Sequence, residues 1–156
     1  MKSLLNIKEI LDFAILKEID AQKAYTDICG KTESQPAREA LQALALQEKQ
    51  HQDMLENYRS GLLIQGALRM EHPCDFHIAE HFAKTGHSAG MDLKDAFLFA
   101  ADREKDSYEF YLRLAHLHAR GEVRDLLERL ASQELEHKAT IEALLTEVAF
   151  PQTDGG

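Results

Sequence analysis

The chain has 156 residues, 44% of them hydrophobic and 29% charged, a size and balance that suit one soluble domain with a real core. Its formal charge of −9 argues against a nucleic-acid phosphate surface as partner, and no apolar run approaches the roughly 18 residues of a membrane span. The opening Met1-Lys2-Ser3-Leu4-Leu5-Asn6 turns polar too soon for a signal peptide. Cys29 and Cys74 make neither a Cys-x-x-Cys pair nor a disulfide framework, so a cytoplasmic protein is expected.

Four helices follow from the apolar spacing. The first spans 4–30, where Ile7, Leu11, Ala14, Ala21, Tyr25 and Ile28 recur at alternating steps of four and three, with Glu18 in the same seam. Gly30 to Gln35 breaks the pattern, and Ser34 with Pro36 predicts a cap and first turn. The second helix, 35–64, carries Leu41, Leu44, Leu55, Tyr58 and Leu62, and its seam includes Glu48 and His51. The third, about 92–119, follows Gly90 with Asp92 as cap; its seam runs Leu93, Phe97, Ala100, Glu104, Ser107, Tyr111, Leu114. The fourth, about 121–149, carries Leu127, Leu130, Glu134, His137, Ile141, Leu144 and Val148 until Pro151 stops it. Residues 1–150 are expected to form one unit and 151–156 a flexible tail.

Short first and last links make two antiparallel hairpins. The link between them, roughly 65–91, contains Pro73, Gly86 and Gly90 and a stretch near 75–84 that could form a short helix. It is longer than an up-down-up-down bundle needs, which predicts a crossover along an all-α four-helix bundle.

The hairpins are a duplication at an offset of 86 positions. Glu18 maps onto Glu104, Tyr25 onto Tyr111, Asp20 onto Asp106, Phe13 onto Phe99 and Ala14 onto Ala100. The repeated stretch is Ala45-Leu46-Gln47-Glu48-Lys49-Gln50-His51 and Ala131-Ser132-Gln133-Glu134-Leu135-Glu136-His137, each a Glu-x-x-His that turns a carboxylate and an imidazole the same way on a helix. The midpoint of Glu18 and Glu48 falls at residue 33 and that of Glu104 and Glu134 at 119, both in the hairpin links. The four glutamates therefore lie at one height and should meet.

Each of these glutamates stands where a seam wants an apolar residue. Buried together they would repel, so the cluster must be protonated, paired with cations, or exposed as ordinary solvated side chains. No lysine or arginine lies in the seams as drawn. Two divalent metals would balance four carboxylates, two imidazoles would complete the coordination, and this donor set suits iron or manganese.

With Ala100-Ala101-Asp102-Arg103-Glu104-Lys105-Asp106-Ser107-Tyr108-Glu109-Phe110-Tyr111, its counterpart from Ala14 to Tyr25 and the two Glu-x-x-His copies, nearly the whole chain resembles the rubrerythrin branch of the ferritin-like superfamily. The resemblance implies a ferritin-like bundle around two iron ions. Glu18 and Glu104 would be terminal ligands, Glu48 and Glu134 bridging ligands, and His51 and His137 would each bind one metal. It also implies redox chemistry with peroxide or dioxygen. Two departures stand out. Peroxidase rubrerythrins carry a further glutamate one turn after the third-helix ligand, where this chain has Ser107. Many of them also carry a rubredoxin domain, whose paired Cys-x-x-Cys motifs do not occur in this sequence, so an external electron donor such as a rubredoxin-like protein is expected. A non-enzymatic iron-sequestering protein and a di-manganese catalase are the competing readings, and exposed bundle faces suggest a homodimer.

Tyr25 and Tyr111 lie two turns from Glu18 and Glu104 on the same faces. They could hydrogen-bond and orient ligand carboxylates, or be core aromatics whose hydroxyls are satisfied elsewhere. The crossover holds His72, Cys74, His77, Glu80, His81 and His87; His77-Ile78-Ala79-Glu80-His81 matches a zinc-peptidase pattern but lacks a third ligand and a cleft, leaving incidental metal binding. His116 and His118, near a helix C-terminus, read as partners of the helix dipole.

Overall fold

A computed structural model describes residues 7–61 and 92–149. These form four helices: α1 (Ile7–Lys31), α2 (Gln35–Gly61), α3 (Leu93–His116) and α4 (Glu122–Ala149). No strand occurs among the described residues. The tail and the crossover, with its four histidines and Cys74, lie outside them.

The helix ends follow the capping chemistry in the sequence. Ser34 Oγ accepts from the Ala37 amide at 3.4 Å, and Asp92 Oδ1 accepts from the Asp95 amide at 2.8 Å. The third helix stops at His116 rather than 119 because the Leu117 and His118 amides turn to the Leu114 and Ala115 carbonyls, a tightening that ends the α-helical ladder. His118 lies in that turn, buried, and burial lowers its proton affinity.

Packing is strongest within the hairpins, α1 on α2 and α3 on α4; between hairpins the α1 and α3 backbones approach most, and those of α2 and α4 come close at few points. Two apolar clusters fill the interior. One joins Leu11, Phe13 and Ala14 of α1 to Leu55, Tyr58, Phe110, Tyr111, Leu114, Leu127 and Leu130. The other joins Tyr25 and Ile28 to Leu41, Leu44, Phe97, Ala100, Ile141 and Leu144. The first gathers the start of α1, the end of α2, the end of α3 and the start of α4, and the second gathers the opposite ends. The chain thus leaves α2 at one end of the bundle and enters α3 at the other, as a crossover requires. Each fully buried leucine or phenylalanine contributes roughly 1.5–3 kcal/mol, so the two clusters can hold a polar layer between them. That layer is where all four seam glutamates lie.

Candidate metal centre

α1 supplies Glu18, α2 Glu48 and His51, α3 Glu104, and α4 Glu134 and His137. None of the six is more than 2% exposed. They fall into two overlapping sets whose ligand atoms lie within 4.8 Å of one another: Glu18, Glu48, His51, Glu134, and Glu48, Glu104, Glu134, His137. Glu48 and Glu134 belong to both, while each of the other four belongs to one.

The close contacts run between hairpins. His51 Nδ1 lies 2.8 Å from Glu134 Oε1 but 3.4 Å from Glu48, its own helix partner, and 3.6 Å from Glu18. His137 Nδ1 lies 2.7 Å from Glu48 Oε1, 3.7 Å from Glu104 and 3.8 Å from Glu134. The imidazoles stack at 5.6 Å between centroids with their planes 14° apart. The tyrosines also cross over: the Tyr111 hydroxyl donates to Glu18 and the Tyr25 hydroxyl to Glu104. Side chains lean toward the N-terminus of their own helix, so each tyrosine leans back toward the polar layer while the glutamate seven residues before it leans away, and the carboxylate that leans toward the tyrosine is the one on the antiparallel neighbour.

Residues 9–145 match the family model described as Rubrerythrin. The chain belongs to the rubrerythrin family. None of the curated proteins compared with it matches. Among solved structures it is similar to a hypothetical protein from Pyrococcus furiosus, with a TM-score of 0.73, 21% identity and 96% of this chain and 94% of that one covered. It is also similar to a Thermotoga maritima protein named as a candidate ferritin-like diiron-carboxylate protein, with a TM-score of 0.72, 17% identity and 95% and 99% covered. The ferritin-like bundle is thus the fold of this rubrerythrin-family chain.

The sequence reasoning passed over two pairs of residues. Gln133 Oε1 lies 2.5 Å from His51 Nε2, and Gln47 Oε1 meets His137 Nε2. The signal was present, since the repeated motif is Gln-Glu-x-x-His and its glutamine obeys the same offset of 86. The second pair is Lys17 and Arg103, also 86 apart, each immediately before a seam glutamate. Both are buried although neither lies in a seam as drawn. Lys17 Nζ sits 4.9 Å from the Phe110 ring centroid, and Arg103 donates to the Asp20 carbonyl oxygen at 3.4 Å. Helix flanks are covered by neighbouring helices, which the periodicity of one helix does not reveal.

Electrostatics separates the carboxylates into two kinds. Burial, reinforced by the charges of Glu18 and Glu104, pushes Glu48 and Glu134 well above the usual carboxylate range. Burial pushes Glu18 up as well, but the neighbouring Glu48 and His51 and the hydroxyl of Tyr111 outweigh it and hold Glu18 down at about 2. Glu104 is lowered in the same way, by Glu134, His137 and Tyr25 against burial. His51 loses proton affinity to burial and regains more from Glu134 and Glu18, ending at about 10. Lys17 falls to about 8 by burial, despite Glu18 and Glu134. The protein alone thus relieves the cluster by protonating the two shared glutamates.

A bound cation fits better than those protons. Glu18, Glu48 and Glu104 each keep a buried Oε2 with no hydrogen-bond partner among the described residues, where a buried polar atom normally has one. Four carboxylates and two imidazoles in two equivalent sets form a hard, anionic donor shell suited to two divalent transition-metal ions. Ser107 is half-buried and belongs to neither set.

Proposed function

We propose that this rubrerythrin-family chain is an oxidoreductase that holds two iron ions and reduces peroxide or dioxygen with electrons from a separate protein donor such as a rubredoxin-like protein. The observation that carries the reading is the pair of four-residue ligand sets sharing Glu48 and Glu134. Glu18 with His51 and Glu104 with His137 would each serve one metal, and the shared carboxylates would bridge. Two iron ions held this way supply the redox couple that passes electrons to the oxidant.

The chain's own residues do the rest. Tyr25 and Tyr111 hold one oxygen of each terminal carboxylate, fixing its orientation. The apolar clusters above and below exclude water from the layer. When metal binds, the protons of Glu48 and Glu134 and that of His51 Nδ1 must leave, so loading releases protons. The protein is expected to act in the cytoplasm as a homodimer. No described helix is long and apolar enough to cross a membrane.

One observation favours a second reading. Ser107 stands where peroxidase rubrerythrins have a further glutamate, which favours iron binding without rapid peroxide turnover. Anaerobic iron titration followed by peroxide assays separates the possibilities. Two iron ions per chain and sustained peroxide loss with a donor support the oxidoreductase. Stoichiometric uptake without turnover indicates sequestration, and donor-free disproportionation by the manganese form indicates a catalase. Failure to bind iron or manganese refutes a dimetal centre.

A further inference from the structure

We propose that Gln47 and Gln133 are positioning residues that decide which ring nitrogen each histidine gives to a metal. The proposal rests on the two-metal reading above and concerns residues outside both ligand sets. Each imidazole turns Nδ1 toward the carboxylates, at 2.8 Å to Glu134 for His51 and 2.7 Å to Glu48 for His137. Each turns Nε2 to a glutamine Oε1, at 2.5 Å for the His51–Gln133 pair. An amide oxygen can only accept, so it retains the proton on Nε2 and leaves the Nδ1 lone pair for the cage. The amide turned the other way would donate to Nε2 and place the neutral ring's single proton on Nδ1, where it would obstruct coordination.

The wiring is crosswise. Gln133 precedes the shared Glu134 on α4 yet holds His51 of α2, and Gln47 precedes the shared Glu48 on α2 yet holds His137 of α4. Each bond thus ties the helix that carries a histidine to the helix that supplies the opposite shared carboxylate, across a helix pair whose backbones come close at few points. A neutral amide does this without adding a fifth and sixth carboxylate beside a cage that already holds four. Leucine matches the glutamine roughly in size and favours helix but accepts nothing, while glutamate restores an acceptor.

Zinc, which is diamagnetic, serves as the probe, with histidine ring nitrogens observed by long-range proton–nitrogen-15 correlation and affinity by calorimetry. The zinc-loaded unmodified protein is expected to show metal-bound Nδ1 and a slowly exchanging Nε2–H on both His51 and His137. Gln47→Leu should expose the Nε2–H of His137 to exchange, leave His51 unaffected, and weaken one of two zinc sites about 10–100-fold. Gln133→Leu should do the mirror image at His51, and Gln47→Glu should restore affinity and slow exchange. A purely structural role would lower the melting temperature without this histidine-by-histidine pattern. Coordination through Nε2 in the unmodified protein, a measurement that needs no variant, overturns the proposal. So do Leu variants that bind two zinc ions with unchanged affinity, and in both cases the dimetal reading survives. If the unmodified protein binds neither zinc nor iron, the dimetal reading falls and this proposal with it.

Discussion

Replacing Tyr111 by phenylalanine removes a single oxygen and tests whether the tyrosines support the cage. The ring is fully buried among Phe110, Leu114 and their neighbours, so phenylalanine keeps the packing and loses only the hydroxyl that donates to Glu18. A hydrogen bond to a charged acceptor contributes about 1.5–3 kcal/mol, and losing it leaves a second oxygen of Glu18 unpaired beside Oε2. We expect the metal-free protein to lose about 2 kcal/mol, which for a chain of this size lowers the melting temperature by about 4–8 °C. Tyr25→Phe should cost a similar amount through Glu104. Tyr58→Phe is the internal control, because the Tyr58 hydroxyl is buried without a hydrogen-bond partner among the described residues and its removal should be neutral or stabilising. Urea unfolding of the three variants, with unchanged slopes, gives the comparison directly. Equal costs for Tyr58→Phe and Tyr111→Phe, or a loss below about 0.5 kcal/mol at Tyr111, would refute the reasoning.

Metal-free stability should depend on pH in both directions. Glu48 and Glu134 bind protons more tightly when folded, so their contribution is full below the ordinary 4.5 and is lost as pH rises through their raised values. His51 acts in the same sense, with its contribution full below 6.5 and lost toward about 10, whereas that of Glu18 is present above 4.5 and lost as pH falls toward about 2. The melting temperature without metal should therefore fall from neutral toward pH 10 and fall again in acid, and metal loading should flatten the alkaline decline; a metal-free protein equally stable at pH 7 and 10 contradicts this. Leu130→Ala, at a fully buried site one turn before Glu134, should cost about 2–5 kcal/mol while elemental analysis still finds two metals per chain. Ser107→Glu places a carboxylate one turn beyond Glu104 and should speed oxidation of the iron-loaded protein by peroxide in stopped flow; a slower reaction would show that the missing glutamate is not limiting.

How much was legible from one dimension depends on the range of each interaction. The four helices, their caps at Ser34 and Asp92, and the shared height of Glu18, Glu48, Glu104 and Glu134 follow from local periodicity and an internal repeat, and both are properties of the chain alone. The repeat was especially informative because it copied polar residues into positions that packing reserves for apolar ones. Which groups touch is a different matter. The nearest carboxylate to each histidine, the target of each tyrosine and the glutamine behind each imidazole all lie on another helix, and all cross between hairpins. Those choices depend on the antiparallel facing of α1 with α3 and of α2 with α4, which apolar spacing along a single helix does not encode. Burial of Lys17 and Arg103 on the flanks, and of His118 in a tight turn, likewise arises from the neighbouring elements that cover them. The sequence by itself determined the helices and the polar layer; tertiary packing decided the crosswise pairing inside it, because hydrogen bonds select partners by distance in space and not by spacing along the chain.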